Sequence, residues 1–272
     1  MSCMESKLRS QFKSLLRAID ILNLLEKRTE LSVNEISGLS KLPRSTLYKY
    51  LMVMKECGLV DYEKNLQKYR LGMRLFELGA SVQYSIAIDR IALPYMEELS
   101  SQLEETVGLA IADGNWAVYV EQVEPKRSDQ MVVALRKGRR SSLHAGAVGK
   151  SLLAYQSDEE IEVFLNTAEL TKYTEKTISD PDQLRKALRA IRKQGYAFSE
   201  EEMSRGIRAI AAPIFDEEGK VSAGLTVFGP MQRFNGPRKE QIANLVVEYS
   251  RRISQQLRGK AQANSGKGSI VK

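Results

Sequence analysis

The sequence predicts an α+β chain of two domains joined by a helix, and three observations carry that prediction. Its 272 residues are 43% hydrophobic, enough to fill two modest cores. Hydrophobic periodicity changes along the chain, from short helices and one hairpin near the N-terminus to strands mixed with helices from residue 107 onward. Charge is also divided: residues 1–75 carry 14 Lys/Arg against 8 Asp/Glu, residues 76–257 carry 23 against 26, and residues 258–272 add four basic side chains.

In the basic head, Leu15, Leu16, Ile19, Leu22 and Leu25 recur at helical spacing after Ser14, which predicts a helix over 14–27 with a serine N-cap. Ser32 with Glu35 three residues on reads as a capping box, and Val33, Ile36 and Leu39 supply the buried stripe of a second helix ending near Lys41. Pro43 suits the first turn of a third helix that runs to about Glu56, with Gly58 as its stop. Two short helices across a tight turn form a helix-turn-helix pattern. The reading helix presents Arg44, Ser45, Thr46, Tyr48 and Lys49, while Leu47, Leu51 and Met54 face inward. Residues 59–63, a polar turn at 64–67 and residues 68–71 then read as a hairpin, hence a wing that offers Gln67, Lys68 and Arg70 to a DNA backbone or minor groove. A compact basic head on a slightly acidic body suits phosphate neutralisation on double-stranded DNA. A merely solvated basic face is the plainer alternative.

Leu71, Leu75, Leu78 and Val82 mark a heptad-like seam along 73–88. Such a stripe is either core or the meeting face of a second copy, and a two-fold dimer on a palindromic operator would double the reading surface. The body then predicts a helix over 91–103, strands at 107–112, 116–123 and 131–135, a helix at about 148–155, and helices at 158–165 and 180–194. Strands at 196–200, 209–215 and 221–228 and a helix over 239–257 complete it, with 259–272 disordered. The boundaries are a head at 1–72, a linker at 73–90, a body at 91–257 and a basic tail at 258–272. Mixed antiparallel sheet with flanking helices gives an α+β sensor body, without the strand–helix alternation of a dinucleotide-binding sheet.

Other chemistries find little support. Two cysteines, Cys3 and Cys57, and one histidine, His144, assemble no disulfide framework and no zinc site. No cofactor is expected. The chain lacks an 18-residue apolar run and an apolar leader, so the expectation is a soluble, cytoplasmic protein without a membrane partner. GxSxG, HExxH and GxGxxG are absent. Gly146-Ala147-Val148-Gly149-Lys150-Ser151 resembles the end of a phosphate-binding loop, but His144 occupies the place of its first glycine. Free amides at that helix start would suit a carboxylate, with His144 as a ligand contact or a structural residue.

Together these residues resemble the isocitrate lyase regulator (IclR) family of bacterial transcription factors over essentially residues 14–257. Gly195, Ser199, Glu202, Ala209, Ile210, Ala211, Ile214, Phe215 and Asp216 fit the fixed positions of the family signature. The segments at 42–51, 69–72 and 143–150 stand where that family has its reading helix, wing and effector-domain loop. The resemblance implies a GAF-like mixed α/β effector domain, homodimers or dimers of dimers, and regulation by a small, often carboxylate-bearing effector. It also implies pocket positions at Ala147 and Val148 for backbone contacts, with Ser199, Ile207, Ala209, Thr226 and Phe228 as the wall. Members with small keto-acid pockets carry acidic, thiol and hydroxyl groups where this chain has Ser199, Ala209 and Phe228. A more apolar pocket for a larger or aromatic carboxylate is therefore expected. An enzyme built on the body and a protein adaptor that no longer touches DNA stand as alternatives. No nucleophile–base pair assembles for the first, and Arg44, Lys49, Lys68 and Arg70 speak against the second.

Overall fold

The computed structural model describes residues 12–85, 88–126 and 136–265. They fall into two compact units, divided between residues 86 and 87. The strand expected at 131–135 and Cys3 lie outside the described residues.

The first unit comprises α1 (Lys13–Lys27), α2 (Val33–Ser40), α3 (Arg44–Glu56), β1 (Val60–Glu63), β2 (Lys68–Leu71) and α4 (Met73–Ser85). Ile21, Leu25, Leu31, Ile36, Leu47, Leu51, Met54 and Val60 form its core. Several expectations are corrected. Ser14 lies inside α1 and makes no cap, because the helix starts one residue earlier, after Phe12. Ile21 and Leu25 are the buried residues of α1, with Ala18, Leu22 and Leu24 packed partly against the same core, and Leu15, Leu16 and Ile19 stay on the surface beside Phe12. Helix α1 carries more apolar side chains than one buried stripe accommodates. Leu39 is likewise exposed, and Pro43 caps α3 from outside rather than sitting in its first turn.

Helix α4 leaves most of its apolar side chains in solvent: Met73 and Phe76 are 66% and 72% exposed, and Leu78 and Val82 are exposed as well. Among the described residues, Leu71, Leu78 and Val82 of this seam are thus not covered, while Leu75 is half-buried.

The second unit contains α5 (Ile88–Leu103), β3 (Thr106–Asp113), β4 (Trp116–Val123), β5 (Arg140–Ser142), α6 (Ala147–Leu153), α7 (Asp158–Thr167), α8 (Pro181–Gln194), β6 (Ala197–Glu200), β7 (Ile207–Phe215), β8 (Val221–Pro230) and α9 (Gly236–Ser265). Among the described residues its six strands pair antiparallel in the order β5-β4-β3-β8-β7-β6. Strand alternation sends Ala209 and Ala211 toward α6, where Val148 and Leu152 meet them. Helices α5 and α9 pack against the sheet and each other.

Three features depart most from the sequence reading. Strand β5 was not anticipated, since Arg140–Ser142 is too short to show alternation. Helix α5 begins at Ile88, inside the stretch 73–90 read as a linker. Helix α9 begins at Gly236 and runs to Ser265, so residues 258–265 are helical where a disordered tail was expected; the good helix formers Lys, Ala and Gln outweigh Gly259 there. Among the described residues no helix is long and apolar enough to cross a membrane.

Candidate DNA-reading face and ligand pocket

The start of α2 and the turn from α2 to α3 are each fixed locally. Ser32 Oγ accepts from the Glu35 N–H at 3.3 Å while Glu35 Oε2 accepts from the Ser32 N–H at 2.8 Å. The Ser32 backbone donor holds the Glu35 carboxyl below its usual range. Lys41 ends α2 in the left-handed conformation, with φ 57°, and Pro43 then sets the entry to α3. With Leu47, Leu51 and Met54 buried, a helical step of roughly 100° turns Ser45, Tyr48 and Lys49 away from the core, and Arg44 flanks them in the first turn. All four are exposed. Thr46 stands to one side and is half-buried. Met52 was missed by the sequence reading; it is exposed on the same arc, four residues after Tyr48, and that spacing would have revealed it.

In the wing, β1 and β2 pair with Glu63 opposite Lys68. Gln67, at φ 52°, makes the turn. Tyr69 faces Tyr62 with ring centroids 4.8 Å apart and exchanges backbone hydrogen bonds with Leu31 at 3.0 and 2.7 Å. That anchoring leaves Gln67 and Arg70 exposed and Lys68 half-buried.

The second unit holds a cavity with about 660 Å³ of space between its walls, mouth included. Seven of the eight positions singled out for an effector meet there: Ala147, Val148, Ser199, Ile207, Ala209, Thr226 and Phe228 line it. His144 does not. It is fully buried, with Nδ1 2.6 Å from Ser142 Oγ, Nε2 3.0 Å from the Thr171 carbonyl and its ring stacked on Tyr173. Since the carbonyl can only accept, Nε2 carries the proton and Nδ1 accepts from Ser142. Burial lowers its pKa, against the opposing pull of the Thr171 carbonyl and the Glu202 carboxylate. The histidine is a strut beneath the loop.

Lys150 has a structural part as well. Its ammonium and the Glu202 carboxylate form an ion pair whose side chains are only 4% and 6% exposed. Lys150 Nζ also donates to the Phe198 carbonyl at 3.2 Å, and Glu202 accepts from the Gly146 N–H at 3.2 Å. Thr174 and Thr177 donate to the Glu201 and Glu202 carbonyls at 2.8 and 2.6 Å. The loop before α6 and the loop after β6 are thereby tied together over the cavity. Gly149 completes the seat: a Cβ there would lie 2.5 Å from the Ser142 carbonyl oxygen, so only glycine lets α6 descend this far. Lys150 is thus occupied internally, unlike the lysine of a phosphate-binding loop.

Sequence reasoning missed Tyr119, Arg139, Ser141, Ala145, Gly146, Met203 and Ser204, which also line the cavity. The basic stretch 136–140 was the available signal for Arg139. Tyr119 gave none, because its approach to the wall depends on Gly108, where a Cβ would meet Tyr119 Cε1 and Thr226 Cγ2 at 3.1 Å.

Two family profiles match the chain: the IclR helix-turn-helix domain over residues 14–64 and the bacterial transcriptional regulator IclR C-terminal domain over residues 80–255. Among curated relatives, the HTH-type transcriptional regulator KdgR of Escherichia coli is 35% identical over 244 residues, covering 90% of this chain and 92% of the relative. KipR of Bacillus subtilis is 32% identical, covering 90% and 99%. The crystal structure of Thermotoga maritima IclR superposes with a TM-score of 0.73 at 33% identity, over 90% of this chain and 99% of that one. An IclR homologue from Microbacterium hydrocarbonoxydans, solved in complex with 4-hydroxybenzoate, gives a TM-score of 0.75 at 27% identity, covering 90% and 97%. With the winged helix-turn-helix, the antiparallel body and both profiles in agreement, the chain belongs to the IclR family of transcriptional regulators.

Proposed function

We propose that this regulator's operator binding is controlled by a small organic acid, larger than a keto acid and apolar or aromatic in its body, held in the cavity of the second unit. The observation that carries this reading is the cavity's chemistry: Ile207, Ala209, Met203 and Phe228 give it apolar walls, and Arg139 supplies a cation. The relative bound to 4-hydroxybenzoate supports the aromatic class. DNA would be held by Arg44, Ser45, Tyr48 and Lys49 on α3, with Thr46 at the edge, and by Gln67, Lys68 and Arg70 in the wing. The exposed apolar residues of α1 and α4 support pairing of two copies, which would suit a palindromic operator in the cytoplasm. Ligand then acts by binding one arrangement of the paired regulator better than another.

Fluorescence-anisotropy titration of the DNA flanking this protein's own gene, at several salt concentrations, tests the DNA half of the proposal. The expected result is salt-sensitive binding that outcompetes random DNA and collapses when Arg44→Ala and Lys49→Ala are combined. Absence of binding even at low salt would overturn it.

A further inference from the structure

We infer that the effector's acid group is received at the β4–β5 end of the cavity, by Arg139, Tyr119 and Ser141, with a flat apolar body extending past Thr226 toward Phe228 and Met203. The ligand class is an aromatic monocarboxylate. This assignment rests on the reading of the cavity as the effector pocket.

The chemistry of the two ends decides the orientation. Within the basic stretch, Lys137 pairs with Glu121 and Arg140 with Asp113. Among the described residues Arg139 has no carboxylate partner, and it lines the cavity. Ser141 is buried beside the Tyr119 phenol, yet its Oγ makes no well-formed hydrogen bond among the described residues. A buried hydroxyl left in that state asks for a partner from the cavity. Burial pushes the Tyr119 phenol up to about 12, against the pull of the Arg139 charge, so Tyr119 stays a protonated donor. A guanidinium and two hydroxyls thus line one end of the cavity, a donor set matched to a carboxylate.

The opposite end offers an anion the backbone amides of Ala147 and Val148 but no charged donor of its own, since Lys150 is paired with Glu202. The Gly146 N–H at the start of α6 already donates to Glu202, whose carboxylate lies there in its pair with Lys150. Between the ends, Thr226 Oγ1 is engaged with the Ile210 carbonyl at 3.1 Å, and Ile207, Ala209, Met203 and Phe228 add apolar surface. Gly108 lets Tyr119 lie against the sheet instead of across the cavity.

Calorimetric titration of the full-length protein with benzoate and with its neutral isostere benzamide tests the assignment. Benzoate is expected to bind the parent more tightly than benzamide. Arg139→Gln, an exposed substitution, should weaken benzoate by about tenfold or more, the effect of losing one charge-assisted hydrogen bond, and weaken benzamide far less, with the melting temperature unchanged. Ser141→Ala should weaken benzoate by less, and Gly108→Ala should weaken both probes by pushing Tyr119 into the cavity. Undiminished benzoate binding in Arg139→Gln would overturn the inference while leaving the effector reading intact. A parent that binds pyruvate but not benzoate would overturn the ligand class. A parent that binds neither these nor longer aliphatic acids would overturn the effector reading itself.

Discussion

The two units treat charge in opposite ways. Among the described residues of the first unit, no polar or charged side chain is buried and the core is wholly apolar. The second unit buries Glu105, His144, Lys150 and Glu202 alongside several hydroxyls. A reader of DNA meets its partner outside, so its cations belong in solvent, where phosphates reach them. A ligand-binding body meets its partner inside, and its interior must hold polar groups in fixed positions, each requiring a partner of its own. The first unit is accordingly a rigid apolar scaffold under a charged surface. The second is a cavity held open by a polar frame.

The largest effects should come from breaking that frame. Glu202→Ala leaves the Lys150 ammonium buried without its partner, which costs about 3–5 kcal/mol in comparable pairs. Urea denaturation should register that loss in the second unit, and a Lys150→Met, Glu202→Leu double variant should recover much of it. Recovery would show that the pair itself adds little net stability and serves to position the loops. Slightly smaller is Leu51→Ala, at about 2–5 kcal/mol, confined to the first unit. Its cost is a cavity in an apolar core, so no second-site charge swap should repair it.

On the surface of the first unit the prediction reverses. Arg44→Ala with Lys49→Ala should leave the denaturation midpoint unchanged and weaken operator binding, lowering the slope of log affinity against log salt by about one for each phosphate contact removed. A stability loss instead would mean that these side chains support the fold.

The smallest effect concerns pH. His144 is the chain's only histidine, and burial sets its folded-state pKa below the ordinary 6.5. Its contribution is therefore complete above about pH 6.5 and is lost as pH falls below that value toward the folded pKa, because the unfolded chain takes up the proton first. His144→Gln should flatten that part of the stability profile. An unchanged slope would place the histidine in a more solvated state than its partners at Ser142 and Thr171 indicate.

The same contrast explains what was legible in the sequence. Local signals sufficed for α2, α3 and the hairpin: the Ser32–Glu35 box, Pro43 and the alternation around Tyr62 and Tyr69 are each written within a few residues. Seven lining positions of the cavity were reached only because the family resemblance joins segments far apart in sequence. Arg139 and Tyr119 were not reached, since their meeting depends on β5 pairing with β4 and on the small residue Gly108 in β3. The surface position of Leu15, Leu16 and Ile19 was hidden for a related reason. Periodicity marks an apolar stripe but not whether the rest of the chain covers it.

Occupancy of the cavity should change operator affinity, and one measurement addresses that coupling directly. Operator binding of the full-length protein, followed by fluorescence anisotropy across a benzoate titration, should shift in the parent, and the same shift should need about tenfold more benzoate in Arg139→Gln. Benzoate that binds the parent calorimetrically and leaves its operator affinity unchanged would contradict the account.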